Sequence, residues 1–240
     1  LVVWPESSTP FFFEHDTGGN AAIRGVAREL GISLLFGSDQ YEAGSPPRYF
    51  NSAFLLAPDG RTSAVYRKMH LVPFGEFVPF GFRWFVDAMA IPLSDFSRGA
   101  PDQPPLAAAG QRVAANVCYE DAFGEELIHA LPAATLMVNV SNDAWFGDSF
   151  APWQHMQIAQ MRALETGRWW LKANNTGVTA VLDHKGRLVA SLRPFTVAVL
   201  DGEAQGMTGS TPYSRWGNRA FLALALLVLL GTYAHGRQLG

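Results

Sequence analysis

Apolar residues in this chain fall into two patterns. Compact apolar runs of strand length occupy positions 1–4, 33–37, 49–57, 62–66, 112–118, 135–140, 169–173, 178–182, 188–191 and 196–200. Between them lie stretches whose apolar residues return every three or four positions. One such stretch, 19–30, carries Ile23, Val26, Ala27 and Leu30 on a single helical face, with Gly31 as its stop. Another, 153–166, aligns Met156, Ala159, Ala163 and Leu164, and a shorter helix is predicted over 123–131. Pro58-Asp59-Gly60 is a hairpin signature, and a second turn is expected at 183–186. The alternation of strands and helices, closing on a strand-rich end, predicts an α/β layered domain. There is no internal repeat.

Two segments depart from this rhythm. Positions 73–96 dissolve into prolines and aromatics, including Phe80, Phe82 and Trp84. Positions 220–234 are uncharged and almost entirely apolar. Taken alone that run spans roughly 22 Å against a hydrocarbon core of ~30 Å, which suits a buried helix as well as a membrane span. Arg215, Trp216 and Arg219 before it, and Tyr233, His235 and Arg237 near its end, are interface-anchoring types and favour the span. The expected organisation is a catalytic domain over 1–205, a linker over 206–218 and a transmembrane helix over 219–235. An apolar strand at the very first residue also predicts that further sequence precedes Leu1.

Composition changes the picture in three places. Hydrophobic residues make up 48% of the chain and charged residues only 16%, so some surface is expected to meet lipid or a partner. The net charge of −3 comes without any basic run, which sets nucleic acid aside as a partner. The chain has one cysteine, so an internal disulfide and a multi-thiolate metal site are both excluded. Cys118 is then either core filler or a nucleophile. Its place at a strand-to-helix junction, near free backbone N–H groups and a positive helix end, favours a stabilised thiolate.

Polar residues stand out where apolar strands end. Glu6 follows the first strand and a proline, Lys68 follows Tyr66-Arg67, and Cys118 closes its own strand ahead of Tyr119 and Glu120. Each alone is ordinary: a solvated carboxylate, a surface lysine, a small core hydrophobe. Together, in the order Glu–Lys–Cys at three strand ends, they predict a general base, an oxyanion-holding cation and a nucleophile on one sheet edge. Glu76 and Glu120 are read either as ordinary loop charges or as groups that orient Lys68 or cap the helix expected after Cys118.

These residues resemble the carbon–nitrogen hydrolase (nitrilase) superfamily, and within it the apolipoprotein N-acyltransferase family. The strings that carry the resemblance are Trp4-Pro5-Glu6-Ser7, Asn51-Ser52-Ala53-Phe54, Tyr66-Arg67-Lys68, and the run from Leu71 through Val72-Pro73-Phe74-Gly75-Glu76 to Pro79. Downstream come Val117-Cys118-Tyr119-Glu120, the run from Val138 through Asn142-Asp143-Ala144-Trp145-Phe146 to Gly147, and Asn175-Thr176-Gly177. The chain departs from the family pattern with Trp169 where a proline is expected and Lys172 where an arginine is expected.

The resemblance implies an αββα sandwich facing the bacterial periplasm, membrane helices upstream and one downstream, and localisation to the inner membrane. It implies Glu6 as base, Lys68 as oxyanion cation, Cys118 as nucleophile, and Glu76, Tyr119 and Glu120 as supporting residues. The implied reaction moves an acyl chain from a phospholipid, through a Cys118 thioester, to the α-amine of a diacylglyceryl-cysteine on an apolipoprotein. No metal or other cofactor is expected. Phe80, Phe82, Trp84, Trp145 and Phe146 are the expected lipid entrance. Two rivals stand beside this: a soluble nitrilase-like amidase hydrolysing a C–N bond with water, and a membrane-tethered domain that binds without turnover.

Overall fold

The computed structural model describes residues 1–84 and 95–239, so positions 85–94 of the aromatic run lie outside the described residues. Two sheets lie face to face. The first, in order β1-β2-β3-β4, comprises Val2–Val3, Leu34–Glu42, Arg48–Leu56 and Thr62–Arg67. β1 runs parallel to β2, and β2 to β4 form an antiparallel meander. The second sheet, in order β10-β9-β8-β7-β6-β5, comprises Leu106–Ala108 (β5), Gln111–Val117 (β6), Leu136–Ser141 (β7), Trp170–Asn174 (β8), Thr179–Leu182 (β9) and Leu188–Leu192 (β10). Its centre, β6-β7-β8, is parallel and both flanks are antiparallel.

Helix α1, Thr17–Leu30, covers the outer face of the first sheet. Helices α2, Gly124–Leu127, and α3, Ala151–Thr166, cover the second. Asp16 caps α1 by accepting from Gly19 N at 2.6 Å, and Gly31 ends it in the left-handed conformation. The four layers explain why the strands read as unbroken apolar runs. The inner strands β2, β3, β6, β7 and β8 bury both faces over most of their length, so side chains of either parity are mostly apolar there. Phe36 and Phe54 face α1, while Leu35, Ala53 and Leu55 face the opposite sheet. In the second sheet Val113, Val138 and Val140 point between the sheets, and Ala114 and Met137 point to α3.

Several elements differ from the sequence expectation. β2 continues to Glu42, because its pairing with β3 extends as far as Glu42–Arg48. β5 was not predicted: it is a short hairpin partner of β6. The helix expected over 123–131 splits into α2 and a 3-10 turn, Ile128–Ala130. The strand expected over 196–200 is irregular chain. There Val197 and Val199 are almost fully exposed, so their apolar side chains find no sheet face.

The C-terminal segment forms two helices. α4, Pro212–Trp216, is capped by Thr211 and packs near α3, with Tyr213 beside Arg162. α5 runs Arg219–Leu239, longer than the uncharged run because it continues through His235 and Arg237. Its 21 residues span about 31 Å, enough to cross a hydrocarbon core. None of the stretch Arg219–Arg237 is buried against the rest of the chain.

Candidate active site

Five chain segments end at one rim of the sandwich. Glu6 follows β1, Lys68 follows β4, Cys118 follows β6, and Asn142 and Asp143 follow β7, while Glu76 arrives on the loop after Lys68. Gly37 in β2 lets the Glu6 segment lie close: a Cβ there would sit 2.5 Å from the Glu6 Cα. The Glu6 carboxylate is buried and held at both oxygens. Oε1 accepts from Asn51 Nδ2 at 2.7 Å and Oε2 from the Asn142 backbone N–H at 2.9 Å.

Lys68 is 1% exposed, and its Nζ donates to Glu76 Oε1 at 2.8 Å and lies 3.7 Å from Glu6 Oε1. Asn51 Nδ2 also donates to Glu76 Oε1, at 2.8 Å, so one carboxamide bridges both carboxylates. Glu76 Oε2 accepts the Val72 N–H at 2.8 Å, which closes the loop that carries it. Burial works against the Lys68 ammonium, but Glu6, then Cys118 and Glu76, hold its pKa well above the ordinary value. The two carboxylates thus favour the charged form of Lys68.

Cys118 is partly exposed and adopts φ 57°, a left-handed conformation that costs a non-glycine residue roughly 1 kcal/mol or more. Two fastenings hold it there. Asn139 Nδ2 donates to the Cys118 carbonyl at 2.8 Å, and Glu120 ties down the turn on either side. Glu120, buried, accepts from Val117 N at 2.7 Å, Met69 N at 2.6 Å, His70 N at 3.0 Å and the Tyr66 hydroxyl at 3.0 Å. Burial lifts its pKa to about 7 against those backbone donors. Tyr119 lies with its ring 6.0 Å from Lys68 Nζ.

The thiol differs from the sequence expectation. Cys118 is followed by a 3-10 turn, Cys118–Ala122, rather than an α-helix, so no long helix end faces it. Burial, followed by the Glu6 charge, pushes its pKa up to about 12, with Lys68 and the neighbouring Ser141 hydroxyl pulling only partway back. The resting group is a thiol that needs a base.

Beneath the nucleophile lies a second buried cluster that the strand-end reasoning missed. His155 Nδ1 is 3.0 Å from Asp143 Oδ1, and its Nε2 is 3.0 Å from Asp121 Oδ1. Lys172 Nζ donates to Asn139 Oδ1 at 2.7 Å and lies 3.3 Å from Asp121 Oδ2. Ser141 Oγ donates to Asp143 Oδ1 at 3.0 Å, and the same hydroxyl lies beside the Cys118 sulfur. Burial and Lys172 both pull the His155 pKa down, yet Asp121 and Asp143 outweigh them and leave it raised. A signal was present in the sequence: Asn116, Asn139 and Lys172 interrupt runs that are otherwise apolar.

The expected entrance residues are all on the surface. Phe80 and Trp145 are essentially fully exposed, Trp84 is 70% exposed, and Phe82 and Phe146 are half-exposed. Phe74 and Phe82 meet edge to face at 5.6 Å, and Phe150 and Trp153 add further exposed rings near Trp145 in sequence. Glu6, Lys68, Glu76, Cys118, Tyr119 and Glu120 are therefore brought together, with exposed aromatics on the flanking loops after Lys68 and after β7.

A two-sheet sandwich thus gathers a thiol, an ammonium and two carboxylates at one rim, the kinds of group that nucleophilic acyl chemistry uses. The carbon–nitrogen hydrolase family profile matches residues 1–213, and the chain belongs to that family. Among its relatives are the apolipoprotein N-acyltransferases of Nitrosomonas europaea (52% identical over 98% of this chain) and Ralstonia nicotianae (49%, over 100%). That of Pseudomonas aeruginosa is 40% identical over 100% of this chain. The chain spans about half the length of these curated relatives, 47%, 46% and 47% respectively. Solved structures share the fold at low identity. The Caenorhabditis elegans NitFhit protein has a TM-score of 0.62 at 20% identity, over 80% of this chain and 50% of that one. A carbon–nitrogen hydrolase from Helicobacter pylori has 0.59 at 18%, over 80% and 72%.

Proposed function

We propose that this chain is the catalytic part of a bacterial inner-membrane N-acyltransferase, acting on the periplasmic side. Its donor is a phospholipid and its acceptor the α-amine of the diacylglyceryl-cysteine of an apolipoprotein. Residues 1–205 form the catalytic unit, 206–218 the link and 219–235 the membrane anchor. The observation that carries this reading is the Glu6–Lys68–Glu76–Cys118 cluster at a rim whose flanking loops expose aromatic side chains. A soluble amidase has no use for those rings or for an apolar helix that nothing covers. The names of the half-identical relatives point the same way.

Glu6 takes the Cys118 proton as the sulfur attacks the phospholipid ester carbonyl. The developing oxyanion is met by the Lys68 ammonium and a backbone N–H near the nucleophile. The C–O bond breaks, the lysophospholipid oxygen takes the proton back from Glu6, and a thioester remains on Cys118. The acceptor amine then attacks the thioester carbonyl, Glu6 receives its proton, and the thiol is restored. Glu76 keeps Lys68 oriented, and Glu120 and Tyr119 hold the nucleophile turn. Phe80, Phe82, Trp84, Trp145 and Phe146 admit the acyl chain from the bilayer.

Intact-mass measurement of the full-length protein after exposure to phospholipid tests this directly. The expected result is one acyl adduct on Cys118 that disappears when an apolipoprotein peptide is added, and no adduct in Cys118→Ala. Transfer that persists in Cys118→Ala would refute the assignment. An adduct released by water as fast as by the peptide would favour the amidase instead.

A further inference from the structure

One buried acceptor and one accessible carboxylate beside the cluster have no donor. Asp39 in β2 is the direct cross-strand partner of Asn51 in β3, so their side chains stand on the same face of the first sheet. Asn51 is 5% exposed, and Nδ2 serves Glu6 and Glu76 while Oδ1 has no hydrogen-bond partner among the described residues. A buried carbonyl oxygen without a donor is costly, and a ligand that donates to it would remove that cost. The Asp39 carboxylate, partly exposed, makes no hydrogen bond or ion pair among the described residues and feels the charges of Glu6 and Glu76. The next pair on the same face is Tyr41 opposite Tyr49, with ring centroids 5.4 Å apart.

The surplus is one of negative charge. Glu6 and Glu76 meet one cation, Lys68, the Asp39 carboxylate stands beside both, and the sulfur adds no charge as resting thiol or as thioester. A carboxylate, an orphan carbonyl and two aromatic faces are the groups that take up a primary ammonium, by charge, hydrogen bond and cation–π contact. We propose that Asp39 and Asn51 Oδ1, walled by Tyr41 and Tyr49, bind the ammonium form of the acyl acceptor and deliver it to the thioester. This rests on the acyl-transfer reading above and adds the group that selects the second substrate. In the step itself, bound R–NH3+ gives one proton to the carboxylate cluster and its freed lone pair forms the C–N bond. The second proton goes to Glu6 as the C–S bond breaks, and the electron pair stays on the Cys118 sulfur.

The test separates the two half-reactions in the full-length protein. Cys118 is loaded from phosphatidylethanolamine or phosphatidylglycerol, and the thioester is then offered two nucleophiles at pH 7.5. One is an apolipoprotein peptide, cationic at its amine; the other is hydroxylamine, which is neutral there. Asp39→Asn is expected to slow the peptide reaction about 10- to 100-fold through KM, as befits loss of a charged hydrogen bond. Loading from both lipids and release by hydroxylamine should stay within about twofold, and Asp39→Glu should restore part of the peptide rate. Equal slowing of both nucleophiles, or no slowing, overturns the subsite. Slower loading from phosphatidylethanolamine alone also overturns it, because the ammonium would then belong to the donor head group. Absence of any adduct in the wild-type protein would instead overturn the acyl-transfer reading, and the subsite with it.

Discussion

Two buried ionic clusters sit a few residues apart in this fold, and they are built on different accounts of charge. Around His155, two carboxylates (Asp121, Asp143) meet two basic groups (His155, Lys172), and every partner is nearly sealed from water. Around Lys68, two held carboxylates and a third nearby meet a single cation, beside a partly exposed sulfur. A closed cluster whose buried carboxylates all have partners acts as a rigid floor. A cluster with surplus negative charge and an opening accepts protons and cations. Balance marks the support, and imbalance marks the chemistry.

The sharpest way to break that contrast is to remove one lysine from each cluster. Lys68→Met should cut acyl loading of Cys118 by about 10³-fold, the scale of losing an oxyanion-holding group. Stopped-time intact mass gives the rate. Lys172→Met should act mainly on stability, by about 3 kcal/mol, because it strips a buried charge from Asp121 and leaves Asn139 Oδ1 without its donor. Denaturant unfolding of the detergent-solubilised protein measures this. Loss of loading as severe as in Lys68→Met, with unfolding unchanged, would place the floor inside the chemistry.

Thiol titration sharpens the contrast further. With the Cys118 pKa at about 12, the thiolate fraction, and so the rate of alkylation by iodoacetamide, should climb about tenfold per pH unit from pH 7 to pH 10 without levelling. Glu6 raises that pKa and Lys68 lowers it. Glu6→Gln should therefore quicken alkylation at pH 8 while stopping turnover, and Lys68→Met should slow it. Alkylation that levels off near pH 8 would mean a resting thiolate and remove the need for Glu6 as first base. The smallest effect belongs to Ser141→Ala, which removes a hydroxyl standing between the Cys118 sulfur and Asp143 at a cost of about 1 kcal/mol. It should show as a loss of tenfold or less in loading.

How far the sequence could be read follows from this division. Glu6, Lys68 and Cys118 stood out because each is a polar residue at the end of an apolar strand, whereas Glu76, on a loop, could be read equally as a loop charge or as a partner of Lys68. The layered fold was legible for the same reason, since doubly buried strands leave unbroken apolar runs. His155 and Asp121 were not, because each sits within a helical or turn pattern where a polar residue is unremarkable. Asn51 appeared only as part of a recurring string; its two-carboxylate bridge depends on the β2–β3 register, which no local pattern encodes. The strand expected over 196–200 failed because apolar alternation does not by itself supply a sheet edge to pair with. The elevated thiol pKa was hidden too, since it comes from how deeply the turn is sunk rather than from which residues form it.

Glu120 joins pieces that belong to opposite sheets: the chain leaving β4 at Met69 and His70, and the chain leaving β6 at Val117. Thermal breathing of a sandwich changes the gap between its sheets, and that gap separates ammonium from sulfur. A clasp spanning it makes both reactive atoms ride the same fluctuation, so their spacing is preserved while the walls move. Were this chain seated in a bilayer whose lateral pressure varies, the clasp would keep its working distance insulated from the surrounding lipid.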